Sequence, residues 1–240
     1  MILLIDAGNS RIKWAIHDAG QWLAQGNVLH GDSAGLSADW QAWPLERAYA
    51  TSVAGDAVRQ GLEACCAVPI RWIQAEAEAQ TLGVRNHYHD PAQMGADRWL
   101  AVLAARRLYP EDVIVVCAGT ALTVESLTRD GDYLGGLILP GYSVMLDSLA
   151  QNTARLKQAA GEKVDFPQCT ADALASGVGE ALVGAVERAR SRLAQYAARP
   201  VPLVMITGGD AARIAPWLAS PVRIVDNLVL MGLLEVANQS

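Results

Sequence analysis

MILLIDAGNSRIKWAI at residues 1–16 and VIVVCAGTALTVESL at residues 113–127 decide the fold, because they spell the same grammar twice. In the first, the apolar run Ile2–Ile5 ends in Asp6 and meets Gly8, which reads as a buried strand entering a tight turn. Ile12, Trp14 and Ile16 then alternate with Arg11, Lys13 and His17, the period-two pattern of a half-buried strand. Asp18-Ala19-Gly20 supplies a second turn, and Trp22, Leu23 and Val28 begin a third strand. The second stretch repeats this with Val113–Val116, the turn Gly119-Thr120, alternating Leu122, Val124 and Ser126, the turn Asp130-Gly131-Asp132 and a strand over Leu134–Leu139. Two copies of strand, turn, strand, turn, strand argue for an internal duplication within an α/β chain.

Alternating helices and strands follow each copy. Residues 47–53 and 70–73 read as strands around a helix over 56–66, and 91–108 as a helix begun by Asp90-Pro91. After the second copy, 141–156 reads as an amphipathic helix and 171–198 as a long Ala-rich helix with Thr170 as its N-cap. A strand over 201–206, a helix over 211–218, a strand over 222–225 and a helix over 228–238 complete the chain. The boundary falls within Pro110-Glu111-Asp112, giving domains 1–112 and 113–240. Trp14, Trp22, Trp40 and Trp43 are expected to pack the N-terminal domain.

Composition narrows the function classes. The 240 residues are 52% hydrophobic with a mean hydropathy of +0.17, enough to bury a substantial core. The net charge of -6, with 19 basic residues dispersed along the chain, gives no footprint for nucleic acid or an anionic membrane. No apolar run approaches the roughly 18 residues of a membrane span, and Asp6 interrupts any signal-like start, so a cytoplasmic protein is expected. Cys65, Cys66, Cys117 and Cys169 read as reduced thiols, and His87 and His89 have no neighbouring ligand cluster for a structural zinc.

The turns are suited to phosphates. Phosphoryl transfer needs backbone N–H groups around the phosphates, a metal to offset charge and an acceptor hydroxyl in line. Asp6-Ala7-Gly8-Asn9-Ser10 offers a carboxylate for Mg²⁺, a glycine that lets a phosphate approach, and two small polar side chains. Taken alone this is ordinary hairpin chemistry. Gly119-Thr120 stands at the equivalent point of the second copy, and Thr207-Gly208-Gly209-Asp210 is a third glycine-rich corner between a strand and a helix, where a nucleoside can rest.

These three corners are similar to the layout of the acetate and sugar kinase, heat-shock chaperone and actin superfamily. The resemblance implies duplicated ribonuclease-H-like domains, an actin-like ATPase fold with a nucleotide cleft between them. Three segments narrow it: Tyr88 through Trp99 (YHDPAQMGADRW), Gly135–Gly141 (GGLILPG) and Thr170–Gly177 (TADALASG) resemble motifs of the type III pantothenate kinases. The resemblance runs from residue 2 to about 233 with the motifs in family order. It implies ATP-dependent phosphorylation of pantothenate to 4'-phosphopantothenate, the first step of coenzyme A biosynthesis, with ATP and Mg²⁺. Asp6, Ala7, Gly8, Asn9, Ser10, Arg11, Ile12 and Lys13 are then the first phosphate loop, Gly119 and Thr120 the second, and Gly208 and Gly209 the nucleoside corner. Tyr88, Gly95, Ala96, Asp97, Arg98 and Thr170 line the pantothenate pocket, with Asp97 the base that takes the hydroxyl proton and Arg98 a fork for the substrate carboxylate.

One position departs from that pattern. The second phosphate motif usually starts with an aspartate taken to bind K⁺ or NH₄⁺, and here Cys117 stands in its place. A neutral thiol is a poor ligand for a hard cation, which puts the monovalent cation in question; Glu125, two residues beyond Thr123, is a possible substitute. The family also forms homodimers through the region of 141–156, where Met145, Leu149 and Leu156 share a face. Two other functions fit the same chain: a non-catalytic nucleotide-binding accessory or regulatory protein, which Cys117 favours, and a kinase of another small alcohol.

Overall fold

A computed structural model of the chain describes residues 1–239 apart from 77, 80 and 81, and the side chains of 32–34, 78 and 79 stand outside that description. It divides into two compact units, residues 1–107 with 227–240, and residues 108–226.

In the first unit, β1 (Ile2–Ala7), β2 (Arg11–Asp18) and β3 (Gln21–Leu29) form an antiparallel meander. After α1 (Leu36–Gln41), β4 (Arg47–Ser52) pairs parallel with β1. β5 (Ile70–Trp72) follows α2 (Asp56–Cys65) and pairs parallel with β4, giving the sheet order β3-β2-β1-β4-β5. A small antiparallel pair, β6 (Glu78–Ala79) and β7 (Val84–Asn86), precedes α3 (Ala96–Leu108). The apolar run of β1 is buried on both faces. Leu3, Ile5 and Ala7 pack with Trp14, Leu36, Trp40 and Leu62 on one side, while Ile2 and Leu4 pack with Tyr49 and Leu100 on the other.

The second unit repeats the plan. β8 (Val113–Ala118), β9 (Ala121–Leu127) and β10 (Asp132–Pro140) form the meander, followed by α4 (Tyr142–Asn152) and the long α5 (Thr170–Ala197). β11 (Leu203–Thr207) lies parallel to β8, and β12 (Val222–Ile224), after the short α6 (Ala211–Ile214), lies parallel to β11. The order β10-β9-β8-β11-β12 therefore matches that of the first unit strand for strand. Ile114, Val116, Leu122 and Val124 pack against Val178, Leu182 and Val186 of α5.

Several expectations are revised. The segment read as one helix over 91–108 is a 3-10 turn, Pro91–Gln93, capped by Asp90 Oδ1 on the Ala92 N–H at 3.1 Å, then extended Met94, then α3. Thr170 is the first residue of α5 rather than its cap: Cys169 holds that place, with no side-chain cap bond. The reading 211–218 breaks into α6 and a 3-10 turn carrying Pro216, which cannot donate a helical hydrogen bond. The helix read over 141–156 ends at Asn152, with Thr153 extended. The C-terminal helix, α7 (Leu228–Ala237), belongs to the first unit, where Leu230, Leu233 and Ala237 join the cluster of Ile2, Leu4 and Leu100. Of the four tryptophans, Trp14 and Trp40 are core and meet edge to face at 6.5 Å, Trp43 packs at its margin, and Trp22 is exposed against His17.

Candidate active site

Paired residues of neighbouring strands point to one face of a sheet, so register places side chains in rows. In the first unit Asp6 pairs with Lys13 on one side and Thr51 on the other, and Lys13 pairs with Asn27. The row Asn27–Lys13–Asp6–Thr51 lies one step before the turn Gly8–Arg11, which the Gly8 N–H closes on the Arg11 carbonyl at 3.0 Å. Gly8, Asn9, Ser10 and Arg11 lie between the last β1–β2 pair, Ala7 and Ile12. Arg11 leaves that turn sideways, its Nη1 donating to Asn27 Oδ1 at 2.7 Å.

Asp97 opens α3 in the same unit, and its Oδ1 accepts the Arg98 backbone N–H at 2.8 Å. Its carboxylate is near enough to Asp6 to act on it. Burial first, and the Asp97 charge second, push the Asp6 carboxyl up to about 7, while Lys13 pulls it back. A group so placed gains from a bound cation, which fits Asp6 as the ligand for Mg²⁺. Arg98 is buried, and its Nη1 donates to the Tyr88 hydroxyl at 2.9 Å with the guanidinium over the ring at 5.8 Å. Asn86 holds that segment by accepting the Tyr88 backbone N–H at 3.0 Å. Asp6, Lys13, Tyr88, Gly95, Ala96, Asp97 and Arg98 thus all belong to one unit.

In the second unit the corresponding row is Ile138–Thr123–Cys117–Thr207. The turn Gly119–Ala121 is one residue shorter than its counterpart, and the Gly119 N–H closes it on the Ala121 carbonyl at 3.0 Å. Gly141, at the entry to α4, donates its N–H to the Thr120 carbonyl at 2.8 Å and sits so close that a Cβ would collide with the Gly119 carbonyl. Gly208 has a φ of +104° and lies against the Ala118 carbonyl, while Gly209 is open. Thr170 is exposed on the wall of an apolar groove of about 570 Å³ between α4 and α5, shared with Met145, Leu149 and Leu156.

For a monovalent cation the donors of this row do not fit. They are one thiol and two hydroxyls, with Ile138 at the end, and a hard cation prefers anionic or carbonyl oxygen. Glu125 shares the face of Thr123 but is fully buried and accepts the Tyr133 hydroxyl at 2.7 Å. Sequence reasoning did not single out Thr51, and it read Thr207 only as part of a glycine-rich corner; the place of both in the rows depends on parallel partners distant in the chain.

Two units of one strand order, each with a small-residue turn after its first strand, define the actin-like ATPase fold of duplicated ribonuclease-H-like domains. Solved structures carry the same fold: a protein of Campylobacter jejuni assigned to the Baf family of transcriptional activators (TM-score 0.67, 20% identity, covering 99% of this chain and 98% of that one). Another is a protein of Sinorhizobium meliloti assigned as a 2-dehydro-3-deoxygalactonokinase (TM-score 0.62, 18% identity, covering 100% and 99%). The chain belongs to the type III pantothenate kinase family, whose model matches residues 2–192. Among its relatives, the type III pantothenate kinase of Chromobacterium violaceum is 60% identical over 99% of this chain and 100% of its own length. That of Dechloromonas aromatica is 43% identical over 100% of both.

Proposed function

We infer that this chain transfers the γ-phosphate of ATP to the hydroxyl of pantothenate, giving 4'-phosphopantothenate, the first step of coenzyme A biosynthesis. The observation that carries this reading, within a family match over most of the chain, is the cluster of Asp97, Asp6 and Lys13 beside the buried Arg98 and its partner Tyr88. In the first unit the turn from Asp6 to Lys13 holds phosphate oxygens on backbone N–H groups and the Lys13 ammonium. In the second unit Gly119, Thr120, Gly208 and Gly209 bind nucleotide. Asp6 would hold Mg²⁺, which when bound offsets the charge of the phosphates.

Asp97 takes the proton of the pantothenate hydroxyl as its oxygen bonds to phosphorus and the bond to the ADP oxygen breaks. The hydrogen bond from the Arg98 N–H fixes the carboxylate, and the Arg98 guanidinium, oriented by Tyr88, binds the substrate carboxylate. Tyr88, Gly95, Ala96 and, in the second unit, Thr170 are the remaining pantothenate contacts. No monovalent cation belongs to this reading, because of the neutral row at Cys117. The apolar groove between α4 and α5 supports a homodimer through that face, measurable by sedimentation. No described helix is long and apolar enough to cross a membrane, which accords with a cytoplasmic site of action.

Purified protein should form 4'-phosphopantothenate from ATP and pantothenate with Mg²⁺, equally in K⁺ and in choline buffers. Asp97→Asn should lower kcat by about 100-fold or more. Folded wild-type protein that binds ATP yet leaves pantothenate unphosphorylated would refute the assignment and favour the accessory reading.

A further inference from the structure

The residue directly after the third strand of each meander grips the phosphate turn of that meander. In the second unit Gly141 follows β10, and its backbone N–H holds the Thr120 carbonyl at 2.8 Å. In the first unit His30 follows β3, and its Nε2 meets the Gly8 carbonyl at 2.8 Å. The two contacts are equivalent in topology, but one is made by main chain and the other by an imidazole.

We propose that His30 is a positioning residue for the nucleotide: it fixes the peptide plane between Gly8 and Asn9 so that the turn presents its N–H groups to phosphate. A carbonyl oxygen can only accept, so Nε2 carries the hydrogen of this bond. The peptide unit is trans, and its N–H points opposite to its C=O. A ring that holds the Gly8 carbonyl on one side therefore aims the Asn9 N–H to the other. The Gly8 N–H is spent internally on Arg11, and among the described residues the anchor on the carbonyl side of this peptide is His30. His30 Nδ1 is buried without a hydrogen-bond partner, so the ring gains no polar contact there to offset its burial, and the Nε2 bond is the one that orients it. A turn one residue longer than its counterpart has more freedom to lose on binding, and a side chain reaching in from the next strand end removes that freedom beforehand.

The inference rests on the assignment of this turn to ATP, and its test is chosen to stand without turnover. Binding of Mg²⁺·ATP is measured by calorimetry for wild type, His30→Phe, which keeps the ring but loses the donor, and His30→Gln, which restores a side-chain N–H. His30→Phe should weaken ATP binding by about three- to tenfold, the worth of one hydrogen bond. Its thermal midpoint and the KM for pantothenate should stay near wild type, and His30→Gln should recover a large part of the loss. Unchanged ATP affinity in His30→Phe overturns the proposal. So does a loss spread equally over ATP, pantothenate and thermal stability, which would mark a merely structural contact. Wild type that binds ATP but does not phosphorylate pantothenate would overturn the substrate assignment and leave the His30 comparison intact.

Discussion

The rows Asn27–Lys13–Asp6–Thr51 and Ile138–Thr123–Cys117–Thr207 occupy the same place in two sheets of the same order, yet they differ in almost every property. Only the threonine on the fourth strand is kept. Where the first row carries a carboxylate and an ammonium, the second carries a thiol and a hydroxyl, and where the first ends in an amide the second ends in an isoleucine that is 66% exposed. The backbone frame recurs in both: the carbonyls of Ala7 and Ala118 each accept an N–H from the loop after the fourth strand, Val53 at 3.1 Å and Asp210 at 3.1 Å. The two copies share the hydrogen-bond frame around the turn after their first strand. The charged side chains of the two rows, Asp6 and Lys13, stand in one copy alone.

Four experiments can break or sharpen this contrast. The largest effect is expected from Asp6→Asn, which should lower kcat/KM by about 100-fold or more, while Cys117→Ser should change it by less than about threefold. Similar losses at both positions, in a coupled ADP-release assay, would end the claim that the second row is chemically silent. Next, Gly208→Ala should cost about 2–4 kcal/mol of stability, because a Cβ at that φ strikes the Ala118 carbonyl, whereas Gly209→Ala should cost less than about 1 kcal/mol. Thermal melts of the two variants compare them directly; the first unit reaches the same kind of carbonyl with Val53 and needs no such glycine.

The third experiment follows the charge of Asp6. Its folded pKa, about 7, lies above the ordinary aspartate value of 3.8, so between those values the folded protein holds a proton that the unfolded chain has released. Stability from this group therefore falls as pH rises from about 4 to 7 and stays lowered above 7. Asp6→Asn removes that penalty: without nucleotide or Mg²⁺ it should be more stable than wild type at pH 8, by on the order of 2 kcal/mol after allowing for solvent screening, with the gain fading toward pH 4. A gain of equal size at both ends of the range would contradict the assignment of cause. The smallest effects are those of Thr51→Val and Thr123→Val. Both hydroxyls are buried without a hydrogen-bond partner, so either substitution should be neutral or stabilising by up to about 1 kcal/mol in denaturant titration.

The meanders and their turns were legible because period-two alternation and turn residues are local signals. Asp97 and Arg98 were legible as chemistry through their motif, but their surroundings were not. That Arg98 is buried against Tyr88, and that Asp97 bears on Asp6, follows from packing between segments far apart in the chain. The continuous helix over 91–108 failed because Asp90-Pro91 starts a helix in sequence terms, while Met94 adopts an extended backbone before α3. The return of α7 to the first unit had no local signal at all, since an apolar helix reads alike whichever sheet it covers.

By itself, the sequence determined the duplicated strand-turn-strand plan, the family and the charged residues available to a phosphate, since each is written in neighbouring residues. Only the tertiary structure decided which side chains share a row, that Cys117 stands between two threonines, and that His30 reaches the carbonyl of Gly8. Those juxtapositions are made by strand register and long-range packing, and no local pattern in the chain encodes the distance between residues that only folding brings together.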